Sequence, residues 1–257
     1  VKQQIRLPGI IGGLGPAAHI EFEKRLLAEG ARRGARADQD YLAWVLFNAT
    51  DVPERTVALL ANDTGEAVEH IASAARRLVA AGADFAAVPC NTAHALRDAV
   101  MSLVPLPWLD LIDVTIEQLE KRFPRGSRVL VLATSGTLQT GLYRTRLRDA
   151  GFEPVEFDVA SRDQADVMRA IYDSEFGVKS TGTRIDERAA ALAVEALSKA
   201  PGVVCAIAGC TELSVAFAAV SNPPIPVIDP LDALASATYD VGMGKRPLPR
   251  VVAGVVR

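Results

Sequence analysis

The sequence predicts an α/β protein of two similar lobes, each a parallel sheet flanked by helices, with the functional site in the cleft between them. Three observations lead there. Apolar runs alternate with amphipathic stretches along the whole chain, which is the pattern of strand–helix units. The runs are continuously Val/Ile/Leu/Ala-rich rather than alternating, as suits strands buried on both faces. The second half also repeats the turn chemistry of the first.

Strands are expected at Gly9–Gly12, Tyr41–Asn48, Phe85–Pro89, Arg128–Ala133, Glu153–Phe157, Val203–Ala208 and Pro226–Ile228. Helical periodicity falls at Ala17–Arg32, Thr64–Ala81, Ala93–Met101, Asp113–Arg122, Leu142–Asp149, Asp163–Tyr172, Asp186–Ala200 and Asp232–Asp240. In the first half, the opening strand runs into Gly12-Gly13-Leu14-Gly15-Pro16 and a later strand into Cys90-Asn91-Thr92. In the second half, the corresponding strands run into Ala133-Thr134-Ser135-Gly136-Thr137 and Gly209-Cys210-Thr211-Glu212. Gly12 to Cys90 and Ala133 to Cys210 span nearly equal lengths of chain, so each half delivers a Cys and a Thr at a strand end. The boundary is expected near Leu111–Thr115, after Pro105-Leu106-Pro107. Residues 1–114 then form the N-terminal lobe, completed by residues 223–257, and residues 115–222 form the second. Gly244 to Arg257, with Pro247 and Pro249, carries no helical pattern.

Composition narrows the class of function. Of 257 residues 49% are hydrophobic and 23% charged, the balance of a packed globular chain. A net charge of -3 gives no basic footprint for nucleic acid. Arg32-Arg33 and Arg76-Arg77 lie in helical patterns and read as solvated faces. No apolar run reaches a membrane span, and Val1-Lys2-Gln3-Gln4-Ile5-Arg6 lacks the apolar core of a signal peptide. A cytoplasmic protein without membrane or nucleic-acid partners is expected, its partner being a small molecule.

Three cysteines in a chain of this length make no disulfide framework, so reactivity is the question. A free Cys is most often a small buried hydrophobe. That reading suits Cys205, inside Val203–Ala208, but not Cys90 and Cys210, which stand among polar residues at strand ends, where α/β folds bind ligands. Each precedes a helical pattern, whose N-terminal N–H groups and dipole are expected to favour thiolate. The N–H groups of Asn91, Thr92, Thr211 and Glu212 are placed to hold a carboxylate. Inverting a carbon centre takes removal of a proton on one face and delivery on the other, so two acid/base groups, one thiolate and one thiol, meet the need. Such a pair titrates as a unit.

Other readings are weaker. Gly12-Gly13-Leu14-Gly15 departs from the dinucleotide spacing and has no acidic residue closing the next strand, so the glycines are expected to admit a small ligand, with Pro16 starting a helix. His19, His70 and His94 are scattered, and no Cys/His set has structural-zinc spacing, so no metal is expected. His70 reads as a helix-surface residue. His94, one turn after Cys90, is placed either to tune it or to serve the structure.

Gly12-Gly13-Leu14-Gly15-Pro16, Pro89-Cys90-Asn91-Thr92-Ala93-His94 and Ala208-Gly209-Cys210-Thr211-Glu212 together resemble the aspartate/glutamate racemase superfamily, most closely its aspartate racemase branch. The resemblance extends to Asp38-Gln39-Asp40, Val52-Pro53-Glu54-Arg55-Thr56, Ala133-Thr134-Ser135-Gly136-Thr137, Asp166-Val167-Met168-Arg169 and Ile228-Asp229-Pro230, roughly residues 9 to 240. It implies catalytic thiols at Cys90 and Cys210, no pyridoxal phosphate or other cofactor, no metal, and a homodimer. It also implies that Arg55 and a lysine in the region of Lys179, with Arg184 nearby, hold the substrate's side-chain carboxylate. Leu14 stands where a methionine is common, and Glu212 fits the aspartate branch better than the histidine of glutamate racemases. The expected substrate-binding set is Gly13, Asn48, Arg55, Asn91, Thr92, Thr134, Thr137, Lys179, Thr211 and Glu212.

The function expected is racemisation of an acidic amino acid, foremost aspartate, by two cysteines. The alternatives are a glutamate or broad-range amino-acid racemase, a hydantoin racemase, a maleate isomerase, a malonate decarboxylase (for which one thiol suffices), and a small-acid binding protein without catalysis.

Overall fold

A computed structural model describes residues 5–251. The expectations for Val1–Gln4 and for the last six residues of the tail lie outside the described residues. The chain divides into two compact units, one holding the chain up to Leu111 and again from Leu231, the other Ile112–Pro230.

In the first unit four parallel strands, β1 (Pro8–Gly12), β2 (Val45–Asn48), β3 (Phe85–Ala87) and β4 (Trp108–Leu109), lie in the order β2-β1-β3-β4. In the second, β5 (Arg128–Leu132), β6 (Glu153–Val155), β7 (Cys205–Ala208) and β8 (Val227–Ile228) lie in the order β6-β5-β7-β8, again all parallel. The order is the same in both: the second strand pairs on one side of the first, the third and fourth on the other. Ile10 registers with Leu46 and Ala87; Leu130 registers with Val155 and Ala206.

The central strands are buried on both faces, which is why they read as unbroken apolar runs. Ile10, Ile11 and Phe85 are fully buried in the first sheet, and Val129, Leu130 and Ile207 in the second. Each such side chain contributes about 1.5–3 kcal/mol on leaving water, so a helix must cover each face. In the first unit the helix Pro16–Arg32 supplies Phe22 and Leu26, and the helix Gly65–Ala80 supplies Ile71 and Leu78. In the second, Arg162–Tyr172 buries Val167 and Ile171, and Glu187–Leu197 buries Ala193 and Leu197. The Ser161 and Asp186 side chains start these two helices by accepting N–H bonds from Gln164 and Arg188.

Several elements differ from the sequence expectations. The strand expected from Tyr41 begins only at Val45, because Asp38–Asp40 forms a short 3₁₀ turn and the chain enters the sheet after it. The helix expected at Ala93–Met101 is a 3₁₀ turn, Thr92–Leu96, followed by a helix, Arg97–Leu103. The strand Trp108–Leu109 was not expected, since two residues carry no period. The helices Arg55–Leu60, Ser135–Thr140 and Val178–Thr181 are likewise too short for periodicity to mark.

Gly13 follows β1 with φ +89, and a Cβ there would lie 2.7 Å from the backbone of Ala49. Both the left-handed conformation and the space demand glycine. Gly13→Ala is expected to lower unfolding free energy by about 2 kcal/mol or more, measured by urea denaturation; an unchanged midpoint would contradict this packing.

Candidate active site

In an open parallel sheet, ligands bind beyond the carboxyl ends of the strands where the strand order reverses. In the first unit that point lies between β1 and β3. Gly13 leaves β1 there, and Cys90 follows β3 by three residues. Asn48 ends the neighbouring β2 opposite Gly12 and is exposed. In the second unit the reversal lies between β5 and β7, and the residues leaving those strands are Thr134 and Cys210. Both cysteines thus hold the same topological position, each in its own sheet.

Around Cys90 the backbone is fixed by His94. Cys90 is buried and its carbonyl accepts a bond from His94 Nδ1 at 2.9 Å. His94 Nε2 accepts from the N–H of Leu111 at 3.0 Å and the indole N–H of Trp108 at 3.2 Å. Two donors on Nε2 assign the ring's proton to Nδ1, so the imidazole is neutral. Burial drives its pKa below the ordinary 6.5, against the opposing pull of Asp110. Of the two roles open to His94, the geometry gives the structural one: it ties the Cys90 turn to the end of β4. Asn91 and Thr92 follow Cys90, both buried, with Thr92 opening the 3₁₀ turn.

The glycine loop has a partner that was not expected. The N–H of Gly13 donates to His19 Nδ1 at 3.1 Å, and a Cβ on Gly12 would meet the His19 ring at 2.8 Å. Burial lowers the His19 pKa, Glu23 opposing. Arg55 begins the helix Arg55–Leu60 and is only 6% exposed. Its Nη2 donates to the carbonyl of Leu14 and its Nη1 to that of Pro53 at 3.3 Å. Of the acids beside it in sequence, Glu54 accepts the N–H of Val57 and Asp51 faces His70. A buried guanidinium is thereby fixed against the loop that leaves β1.

In the second unit Thr134 caps the helix Ser135–Thr140, accepting from the N–H of Thr137 at 3.2 Å, and the two hydroxyls lie 3.1 Å apart. Gln164, a residue sequence reasoning passed over, donates its amide to the carbonyl of Ala133 at 2.9 Å and steadies that turn. Cys210 stands at the N-cap position of the buried helix Thr211–Phe217, without a side-chain cap bond. Ser214 of that helix donates to Asp229 at 2.7 Å, tying it to the end of β8.

Three side chains meet at this helix. The Cys210 thiol donates to Glu212 Oε2 at 3.0 Å, and Glu212 Oε1 pairs with Lys179 Nζ at 3.2 Å. The hydroxyl of Thr211 donates more distantly to Oε2, at 3.5 Å. Lys179 also lies over the ring of Tyr172, 5.3 Å from its centroid. The loop before Lys179 is held by Asp173, which accepts the N–H groups of Glu175 and Phe176, and by Gly177, where a Cβ would meet the Asp173 backbone at 2.4 Å. Arg184, by contrast, is exposed.

The electrostatics at Cys210 reverse the sequence expectation. A helix N-terminus was expected to favour thiolate, yet the Cys210 pKa is pushed well above the usual thiol value. Burial is the largest cause, and the charge of Glu212 and its hydrogen bond add to it; Lys179 opposes. Glu212 goes the other way. Burial alone would raise its carboxyl, but Lys179, the Cys210 thiol and the residue's own N–H outweigh it and hold it below the ordinary value. The site is therefore a thiol donating to a carboxylate. Glu212 and Lys179, expected to face substrate, are engaged with each other and with Cys210. Cys205, inside β7, has its thiol pushed up to about 12 by burial, as core.

Each sheet thus carries one thiol at its switch point, and the thiol of the second sheet is backed by a buried carboxylate. A model of the Asp/Glu/hydantoin racemase family matches residues 11–238. The chain belongs to this family and is an enzyme of the racemase type. It is similar to the aspartate racemase of Picrophilus torridus, with 30% identity, a TM-score of 0.76 and coverage of 94% of this chain and 95% of that one. The broad specificity amino-acid racemase RacX of Bacillus subtilis (strain 168) is 25% identical over 231 residues, 90% of this chain and 95% of its own length. An aspartate racemase homologue from Pyrococcus horikoshii OT3, at 23% identity, shares the fold with a TM-score of 0.67, covering 93% of this chain and 99% of that one. Among the described residues no helix is long and apolar enough to cross a membrane.

His94→Leu should cost about 2–4 kcal/mol, because the buried N–H groups of Leu111 and Trp108 lose their acceptor. Acid provides a second check. Below 6.5 the unfolded histidine takes a proton that the folded one refuses, so wild-type stability falls with pH from there towards the lowered folded pKa. The leucine variant should lose less on acidification, with His19 and the glutamates held below their ordinary values supplying the remainder; an equal loss in urea titrations at pH 7 and pH 5 would contradict the assignment.

Proposed function

We propose that the protein racemises an amino acid, foremost aspartate, by moving the α-proton between Cys90 and Cys210 without pyridoxal phosphate. The observation that carries the reading is the equivalent placement of the two thiols, each at the carboxyl-end switch point of its own four-stranded sheet. Catalysis of inversion needs one group to take the α-proton and another to return a proton to the opposite face. The mechanism therefore requires both sulfurs to reach one Cα. The backbone N–H groups that follow each thiol, of Asn91 and Thr92 after Cys90 and of Thr211 after Cys210, suit the substrate's α-carboxylate, whose charge the carbanion must tolerate. A decarboxylase needs only one thiol, and the retention of two argues against it.

Aspartate is favoured by Arg55, a buried guanidinium suited to a distal carboxylate, and by the 30% identity to an aspartate racemase. A second reading, a broad-range amino-acid racemase, is favoured by a different observation. Lys179, the other cation expected to select an acidic side chain, already faces Glu212, and a broad-specificity racemase is among the relatives.

Chiral chromatography of L- and D-amino acids after incubation with the enzyme separates the two. Aspartate turning over alone or well ahead of neutral amino acids supports the first reading, and comparable rates for neutral side chains support the second. Cys90→Ser and Cys210→Ser should each lower racemisation by about a hundred-fold or more. Full activity in either variant would sink the two-thiol mechanism.

A further inference from the structure

The loop that leaves β1 is held by neighbours on three elements, and one of them titrates. The peptide between Gly12 and Gly13 is bonded on both sides: its carbonyl accepts the N–H of Ala49 at 3.0 Å, and its N–H donates to His19 Nδ1 at 3.1 Å. One residue on, the carbonyl of Leu14 accepts from Arg55. His19 comes from the helix Pro16–Arg32, Ala49 follows β2, and Arg55 opens the helix Arg55–Leu60. Together they fix the backbone at the switch point of the first sheet.

We propose that His19 is a positioning residue for substrate capture: its neutral ring holds the glycine loop in the shape that receives the substrate, and a proton on Nδ1 releases that loop. This rests on the racemase reading for the identity of the ligand, and adds to it a pH-dependent control of binding that uses neither thiol.

An imidazole nitrogen that accepts carries no proton, so the bond from Gly13 assigns the ring's proton to Nε2 and makes the ring neutral. A proton added from solvent to Nδ1 turns the acceptor into a donor, and two N–H groups then face each other. His19 is 6% exposed, and a Cβ on Gly12 would lie 2.8 Å from its ring, so ring and loop are packed closely. What yields is Gly13, the residue of the loop with the widest choice of backbone conformation.

The charges around the ring favour the neutral form. Burial opposes its protonation more strongly than Glu23, one turn along the same helix, promotes it. The Glu23 carboxylate accepts the indole N–H of Trp44 at 2.8 Å. The start of a helix also disfavours a cation. Of the other elements, the helix Pro230–Gly242 brings Asp232 and Asp240, which pair with Arg25 and Arg33. The helix Arg55–Leu60 brings Arg55 to Leu14, and strands β1, β2 and β3 carry no titratable side chain.

The first test needs no turnover. The chain has three histidines, and long-range proton–nitrogen NMR reads the tautomer and titration of each. The His19 signals, identified by their loss in His19→Asn, should show an unprotonated Nδ1 at neutral pH and a midpoint below 6.5. The Gly13 amide should shift with the same midpoint in wild type and stay still over that range in His19→Asn. A proton on Nδ1 at neutral pH, or a Gly13 amide indifferent to the His19 titration, would overturn the inference even if the protein racemised no amino acid tested. Failure of the function and failure of this inference are thus distinguishable.

The second test uses racemisation. In wild type KM should rise as the pH falls below the His19 midpoint, by about ten-fold per pH unit where only the neutral form binds. His19→Asn puts an uncharged oxygen where Nδ1 stands, so at about pH 8 its KM should lie within about three-fold of wild type, and the acid rise should vanish. His19→Leu offers no acceptor and should raise KM about ten-fold at every pH, with kcat little changed. A KM profile of His19→Asn superimposable on that of wild type, or a His19→Leu defect confined to kcat, would overturn the proposal.

Discussion

The candidate residues take their places from one constraint: parallel strands covered on both faces leave only their ends for chemistry. Inside each sheet the backbone groups are bonded to neighbouring strands and the side chains are packed under helices, as Ile10, Phe85, Leu130 and Ile207 are. At the carboxyl ends the ladder stops, N–H groups open towards solvent, and the reversal of strand order parts two turns far enough to admit a ligand. The first sheet puts Gly13 and Cys90 at that place and the second puts Thr134 and Cys210. Repeating one topology therefore gives each sheet a thiol at the same place.

The two thiols have different neighbours. Cys90 is steadied through its carbonyl by a neutral histidine that has no charge to offer. Cys210 is bonded through its sulfur to a carboxylate that an ammonium keeps ionised. Burial decides the outcome at both: it strips the charge from His94 and, with Glu212, keeps the proton on Cys210. At Cys210 the neighbours outweigh the helix dipole, whose effect is smaller than the cost of burying an uncompensated thiolate.

Much of this was legible in the sequence. Unbroken apolar runs such as Arg128–Leu132 and Cys205–Ala208 report strands buried on both sides, and the repeated strand-end turns point to the two cysteines. Short elements such as Arg55–Leu60 were not legible, because they complete fewer than two turns and carry no period. Nor were the contacts that decide electrostatics. Lys179 and Glu212 are distant in sequence, and their meeting follows from a loop closed by Asp173 and Gly177. The sequence did carry a partial signal there: Asp173-Ser174-Glu175-Phe176-Gly177 is a polar turn with glycine at its close. The error at Cys210 has the same origin, since proximity to a helix end is visible in sequence but a carboxylate folded back onto the sulfur is not.

Membership of the Asp/Glu/hydantoin racemase family sets the class of reaction, and the claim that two thiols share it can be tested by where solvent deuterium first appears. A pure enantiomer of aspartate bearing protium at Cα, racemised in D₂O, should be followed by circular dichroism and proton NMR together. If one thiol removes the proton and the other delivers deuterium, product is labelled while unreacted substrate keeps its protium. The optical signal should then cross zero and take the opposite sign before returning, because the deuterated product reacts back more slowly. A monotonic decay to zero, with deuterium entering unreacted substrate as fast as product, would mean one group serves both faces and would contradict the pairing of Cys90 with Cys210.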